Sequence, residues 1–108
     1  MTAPLTLHRA DRFLSRLRGL MGKPAMAPNE VLWISRCNSV HTCFMRFPID
    51  VVFLDRQNRI MRVRTGLKPW RMAGCRGAQS VVELMAGQAA ERGWRVGQPL
   101  HELVGVLP

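Results

Sequence analysis

Histidine and cysteine are the residue types best suited to chemistry here, and His41 and Cys43 lie two positions apart. In an extended strand this spacing places both side chains on one face, where they could supply half of a metal site or pair a thiol with a base. A structural zinc site needs four ligands, usually in paired spacings, and Cys37 and Cys75 offer no CxxC pattern. We therefore predict no metal site and no cofactor, with His41 hydrogen-bonded and Cys43 filling apolar space.

A carboxylate, Asp50, interrupts an apolar stretch shortly after Pro48. A buried carboxylate is costly unless it is paired or hydrogen-bonded, so its surroundings must be polar. One interpretation is structural: Asp50 accepts backbone N–H groups of the turn at 47–48, or it pairs with Arg18 or Arg46. The other interpretation is functional: Asp50 is the polar anchor of a pocket and acts there as an acid or a base.

Glu83 interrupts a second apolar stretch, and by the period of two it shares a face with Val81 and Met85. An inward-facing Glu83 would need an arginine partner, whereas an outward-facing one is ordinary surface. No complete catalytic constellation can be assembled from this sequence, so we assign no catalytic residue. The residues favoured for a ligand-binding site are Arg18, Met45, Asp50, Trp70 and Glu83.

The charge balance is strongly basic, with 16 Lys and Arg against 7 Asp and Glu and a formal net charge of +9. Such a chain is attracted to polyanions, so an anionic partner, either nucleic acid or an acidic protein, is one expectation. The alternative is that arginine serves only as the solvating cation of the surface. Trp70, flanked by Lys68 and Arg71, is the best candidate for an exposed aromatic residue at a binding rim.

The elements that must position these residues are short and mostly extended. A length of 108 residues with 47% apolar residues predicts a single domain over 1–108. Alternating or continuously apolar segments predict strands at 5–8, 31–35, 40–46, 49–54, 59–65, 80–85 and 100–104. The expected fold is mainly β (α+β), a small barrel or sandwich with one or two short helices.

Two segments have the apolar spacing of helices. Residues 9–23 form a basic amphipathic stretch, and residues 88–92 form one or two turns before Gly93. The basic helix either docks an anionic partner or covers one end of the β core with its charged face in solvent.

Four stretches of the chain together indicate a family: residues 18–22, 41–55, 82–87 and 93–97. In their order and spacing they resemble the DUF192 family, also called UPF0127, and the resemblance extends over nearly the whole chain. It implies a mainly β, barrel-like single domain and brings no established activity. Where that family usually has an aromatic residue this chain has Cys43, so a catalytic or metal-binding Cys43 would not be a family property.

The sequence therefore predicts a binding protein more readily than an enzyme. We expect a non-enzymatic binding or accessory domain for a small ligand, a peptide or a partner protein. One alternative is a binder of nucleic acid or another anionic surface that uses the +9 charge, and another is a small enzyme with Asp50 or Glu83 as acid or base. The longest apolar runs have four residues and the N-terminus lacks a signal-peptide pattern, so we expect a cytoplasmic monomer without a transmembrane segment.

Overall fold

A computed structural model describes residues 5–10, 28–43 and 45–104 of the chain. Within these residues the chain forms seven strands and two short helices. The strands are β1 (Thr6–Ala10), β2 (Glu30–Ser35), β3 (Ser39–His41), β4 (Ile49–Leu54), β5 (Ile60–Leu67), β6 (Met72–Gly74) and β7 (Ser80–Met85). The helices are α1 (Gln88–Glu91) and α2 (Leu100–Val104).

Five strands make one mixed sheet, in the order β1-β2-β7-β4-β5. β1 and β2 are parallel, and the other neighbours are antiparallel. β3 and β6 pair with each other in a separate antiparallel ribbon. The prediction of a mainly β fold with short helices is confirmed. The barrel form of that prediction is not, because the described strands leave the sheet open, with β1 and β5 at its edges.

The sheet buries apolar side chains on both faces. Its helix face packs Val31, Val52 and Leu84 against Trp94 and Leu100. Its ribbon face packs a second set of apolar residues, among them Val51, Phe53 and Val81, against Val40 of the ribbon. All six residues of β4 are buried, which explains why this central strand is apolar almost throughout and why its one charged residue is conspicuous.

Three sequence predictions need correction. Residues 100–104 form a helix rather than a strand, because Leu100, Leu103 and Val104 lie at helical spacing and pack together on the helix face. The strand predicted at 40–46 ends at His41, so His41 and Cys43 do not share one strand. Residues Met72–Gly74 form β6, which is absent from the strands predicted from the sequence.

The helix predicted over 9–23 cannot be compared in full. Residues 9 and 10 belong to β1, and the remainder lies outside the described residues. In the part of the chain that is described, no helix is long and apolar enough to cross a bilayer.

Candidate functional site

Asp50 is fully buried, and both oxygens of its carboxylate accept backbone hydrogen bonds. Oδ1 accepts the N–H of Gly66 at 2.9 Å. Oδ2 accepts the N–H groups of Gly87 at 3.0 Å and Ala89 at 2.9 Å. The structural interpretation of Asp50 was therefore right in kind, since the carboxylate accepts backbone N–H groups, but the donors are not those of the turn at 47–48.

These three bonds join irregular points of the fold that are distant in sequence. Gly66 lies where the pairing of β4 with β5 shifts register, and its φ is +59°. Gly87 is the N-cap residue of α1, and it makes no side-chain hydrogen bond that could cap the helix. Asp50, which lies on β4, therefore caps α1. Its carboxylate accepts N–H groups at the start of the helix, where backbone N–H groups lack partners within the helix. Its carboxylate holds a bulge and a helix start together.

Glu83 and Asp50 lie on opposite faces of the sheet. In the β4–β7 pairing Glu83 is opposite Val51, while Asp50 is opposite Leu84, and cross-strand partners share a face. Glu83 is buried on the ribbon face, where Met45 is also buried. The structure therefore does not bring Asp50 and Glu83 together. Arg18, the third charged candidate for the ligand site, lies outside the described residues.

The three thiols are free and half-buried. Cys37 and Cys75 both pack at the edge of the ribbon-face core, and Cys37 Sγ donates to the carbonyl of Ser39 at 2.9 Å. Across residues 5–10, 28–43 and 45–104, no group of three or more His, Cys, Asp or Glu side chains is arranged to hold a metal ion.

Trp70 differs from the other two tryptophans in exposure and in backbone conformation. It is 57% exposed, whereas Trp33 and Trp94 are buried. Its φ is +62°, in the left-handed region that bulky residues rarely enter. Met72, two residues further on, is 77% exposed. A bulky residue held in a strained conformation at the surface is a recognised mark of a functional position.

Thr42 holds the loop that displays Trp70. Its N–H donates to the carbonyl of Arg71 at 2.8 Å, and its carbonyl accepts the N–H of Trp70 at 3.0 Å. Its hydroxyl donates to the carbonyl of Lys68 at 2.6 Å and accepts the N–H of Arg71 at 2.9 Å. Thr42 is itself fully buried, so the loop is fixed to the protein interior at one residue. Because these bonds constrain the backbone on both sides of Trp70, they sustain its left-handed conformation.

Exposed cations lie in this loop and on strand β5, which precedes it. Arg62 and Arg64 on the edge strand β5 are exposed, as are Lys68 and Arg71 in the loop itself. Arg62 reaches the ribbon, since its Nη1 donates to the carbonyl of Gly74 at 3.4 Å. We call this exposed set the cationic loop surface; it consists of Arg62, Arg64, Lys68, Trp70, Arg71 and Met72.

The sequence reasoning identified Trp70 and its two cationic neighbours but missed Thr42 and Met72. One sequence signal could have found the surface: residues 62–82 contain five Arg and Lys and no Asp or Glu. No sequence signal points to Thr42, because its partners lie 26 and 29 residues away.

Comparison with known proteins finds relatives described as UPF0127 proteins in three organisms. The UPF0127 protein of Pyrococcus horikoshii is 47% identical over 66 residues, which cover 58% of this chain and 56% of that protein. The UPF0127 protein of Pyrococcus furiosus is 46% identical over 65 residues, which cover 57% of this chain and 55% of that protein. A UPF0127 protein of Thermococcus sibiricus is 34% identical over 87 residues, which cover 72% of this chain and 53% of that protein. The matched region spans little more than half the length of these relatives.

Two crystal structures share the fold. One is a protein of unknown function from Novosphingobium aromaticivorans, with a TM-score of 0.77, 20% identity, and coverage of 86% of this chain and 71% of that one. The other, from Sinorhizobium meliloti, is provisionally described as a transcription regulator and has a TM-score of 0.77, 24% identity, and coverage of 86% and 78%. At these identities the likeness concerns the fold. The DUF192 family, described as an uncharacterized ACR family, matches residues 1–101, and the chain therefore belongs to the DUF192 family.

Proposed function

We propose that this domain is a non-enzymatic binding module that attaches to an anionic partner through the cationic loop surface. The observation that carries the proposal is the display of Trp70, which is 57% exposed, held in a left-handed conformation and flanked by exposed Lys68 and Arg71. A large apolar side chain in water is unfavourable, and a strained backbone adds to that. Both are explained if the loop is shaped for a partner.

The carboxylates give less support to an enzyme. A general acid or base must come within hydrogen-bond reach of its substrate. Asp50 is fully buried and its two oxygens accept three backbone N–H groups, while Glu83 is buried on the opposite face of the sheet. The bonds of Asp50 account for a carboxylate at this position without any reaction.

Charge complementarity defines the partner class. The sequence that contains the surface, 62–82, carries five cations and no acid, and four of the five are arginine. Arginine presents several N–H donors in a rigid fork that suits phosphate and carboxylate groups. A cytoplasmic location is part of the proposal, supported by three free thiols, which are typical of reducing compartments. So is the assignment of residues 1–108 to one domain.

The proposal is tested with heparin as a generic polyanion. We expect binding at about 50 mM salt that weakens as the salt concentration rises, because bound counterions are released on association. The double variant Arg62→Ala/Arg71→Ala removes two cations from the cationic loop surface. The control Arg56→Ala/Arg95→Ala removes two exposed cations elsewhere.

The two variants have equal net charge, so a difference between them locates the surface. Weaker heparin binding by the first variant alone supports the proposal. Equal losses would show that only total charge matters, and absence of binding at about 50 mM salt would overturn the proposal.

A further inference from the structure

Resting on the proposed function, we infer that the anionic partner is a lipid bilayer, with Trp70 and Met72 entering its headgroup layer while the cations of the same surface contact lipid phosphates. The juxtaposition is that of a peripheral membrane site, in which exposed apolar side chains are flanked by Lys and Arg. Here the apolar pair is 57% and 77% exposed.

Met72 distinguishes a bilayer from nucleic acid. Its thioether side chain has no flat face on which a base could stack and no donor that could bind a base edge or a phosphate. A nucleic acid would engage Trp70 and the arginines but give Met72 no partner interaction of that kind. The boundary of a bilayer buries both side chains, because apolar residues enter the acyl region and tryptophan prefers the headgroup level.

The hydrogen bonds of Thr42 to the loop, which we call the clamp at Thr42, lower the conformational entropy cost of insertion. Its backbone and hydroxyl hold Lys68, Trp70 and Arg71 in place. A loop that is ordered before it binds loses less conformational freedom on binding.

The cations supply the selectivity for anionic lipid. Arg62, Arg64, Lys68 and Arg71 are all exposed. Each cation near an anionic membrane strengthens binding about fivefold. The two classes of residue therefore have separable roles, because the cations distinguish anionic from neutral lipid and the apolar pair provides insertion.

Vesicle co-sedimentation with the full chain tests the inference. One preparation contains phosphatidylcholine with about one third phosphatidylserine, and the other contains phosphatidylcholine alone, both in about 0.1 M salt. We expect binding to the first only. Trp33 and Trp94 are buried, so Trp70 should dominate any solvent-dependent change, and its fluorescence should shift to shorter wavelength on binding.

The apolar contribution is measured with Trp70→Ser/Met72→Ser, which keeps every cation. We expect its affinity for the phosphatidylserine vesicles to fall about tenfold or more. Val96→Ser is the matched control, because Val96 is 67% exposed at another turn of the molecule. It should bind as the parent does, within about twofold.

Four outcomes overturn the inference. Heparin binding without vesicle binding would leave the proposed function standing and would exclude a lipid bilayer as the partner. So would tighter binding to a single-stranded oligonucleotide than to the vesicles. Unchanged vesicle affinity in Trp70→Ser/Met72→Ser would show that nothing inserts. Absence of binding to both heparin and vesicles would overturn the inference and the proposed function together.

Discussion

Asp50 and the cationic loop surface represent two opposite uses of polar and charged residues. Asp50 is fully buried, and within the described part of the chain its carboxylate accepts hydrogen bonds from three backbone N–H groups. The arginines and lysine of the surface are exposed, beside an exposed tryptophan and methionine. The residue that is most conspicuous in the sequence is thus structural, whereas the surface proposed for binding carries no compact sequence motif.

The difference follows from the free-energy cost of burying a carboxylate compared with that of exposing an apolar side chain. A carboxylate inside a core needs hydrogen bonds to be tolerated at all, so its presence in an apolar strand mainly reports an architectural requirement. A tryptophan and a methionine left in water are not required by the fold. Substitutions should therefore separate stability from binding, and the following predictions test that separation.

The largest expected effect is on stability. Asp50→Ala leaves the N–H groups of Gly66, Gly87 and Ala89 without their acceptor; the bond to Ala89 is buried and the other two are partly buried. We expect it to lower the free energy of unfolding by at least about 3 kcal/mol, measured by urea denaturation. Asp50→Asn retains one acceptor oxygen and should lose less, which keeps the test informative if the alanine variant does not fold.

Asp55 is the matched control for Asp50. Its Oδ1 accepts the N–H groups of Gln57 at 2.8 Å and Arg59 at 3.0 Å, in an exposed turn. Water can replace these bonds, so Asp55→Ala should lose about 1 kcal/mol or less. Similar losses for Asp50→Ala and Asp55→Ala would contradict the assigned role of the buried carboxylate.

The clamp should affect both properties. Thr42→Val keeps the shape of the side chain but removes the hydroxyl bonds to Lys68 and Arg71. We expect a loss of about 1–2 kcal/mol in urea denaturation and weaker vesicle binding, because the loop is no longer fixed. Thr42→Ser restores the hydroxyl and should recover most of the binding. A Thr42→Val protein that binds as the parent does would show that the clamp has no part in binding.

Backbone conformation at the cap of α1 should have a smaller effect. Gly87 has φ +92°, a conformation that residues with a Cβ rarely adopt. Gly87→Ala should cost about 1 kcal/mol in thermal or urea unfolding. Gly74 is the control, since a Cβ there would meet its neighbours at 3.6 Å, an ordinary contact distance. Gly74→Ala should change stability by less than about 0.5 kcal/mol; a larger loss at Gly74 than at Gly87 would contradict the assignment.

The smallest stability effect is expected at Trp70. Trp70→Gly relieves the left-handed backbone of a bulky residue but makes the unfolded chain more flexible, and these two effects oppose each other. We expect the free energy of unfolding to stay within about 1 kcal/mol of the parent. Trp94→Gly, at a buried tryptophan, should lose at least about 3 kcal/mol. A Trp70→Gly protein as unstable as Trp94→Gly would mean that Trp70 serves the fold.

The sheet was largely predictable from the sequence because its strands are locally encoded. The continuously apolar runs at β2 and β4 and the alternation of β5 each indicate a strand by themselves. The strand predicted at 100–104 was wrong because five residues with apolar positions at both ends fit either the period of a strand or that of a helix. Length alone could not decide, and the packing of Leu103 and Val104 on the helix face did.

The candidate site was predictable only where it depends on residue type. Burial energetics made backbone N–H groups one of the interpretations offered for Asp50, and flanking charge made Trp70 the best candidate for an exposed aromatic residue. The sequence could not supply the donors to Asp50, which lie 16, 37 and 39 residues away. Tertiary pairing sets such contacts, and the clamp at Thr42 is hidden from the sequence for the same reason.

The position of β7 has a consequence for synthesis of the chain. This strand lies between β2 and β4, pairing Val31 with Leu84 and Val52 with Val82. The ribosome therefore delivers the two neighbours first and the strand that joins them later. Until residues 80–85 have left the exit tunnel, β2 and β4 lack their shared partner and leave apolar edges unpaired. Such sequence-distant pairing slows folding and exposes nascent chains to aggregation, and the sheet of this domain cannot be complete before β7 has left the ribosome.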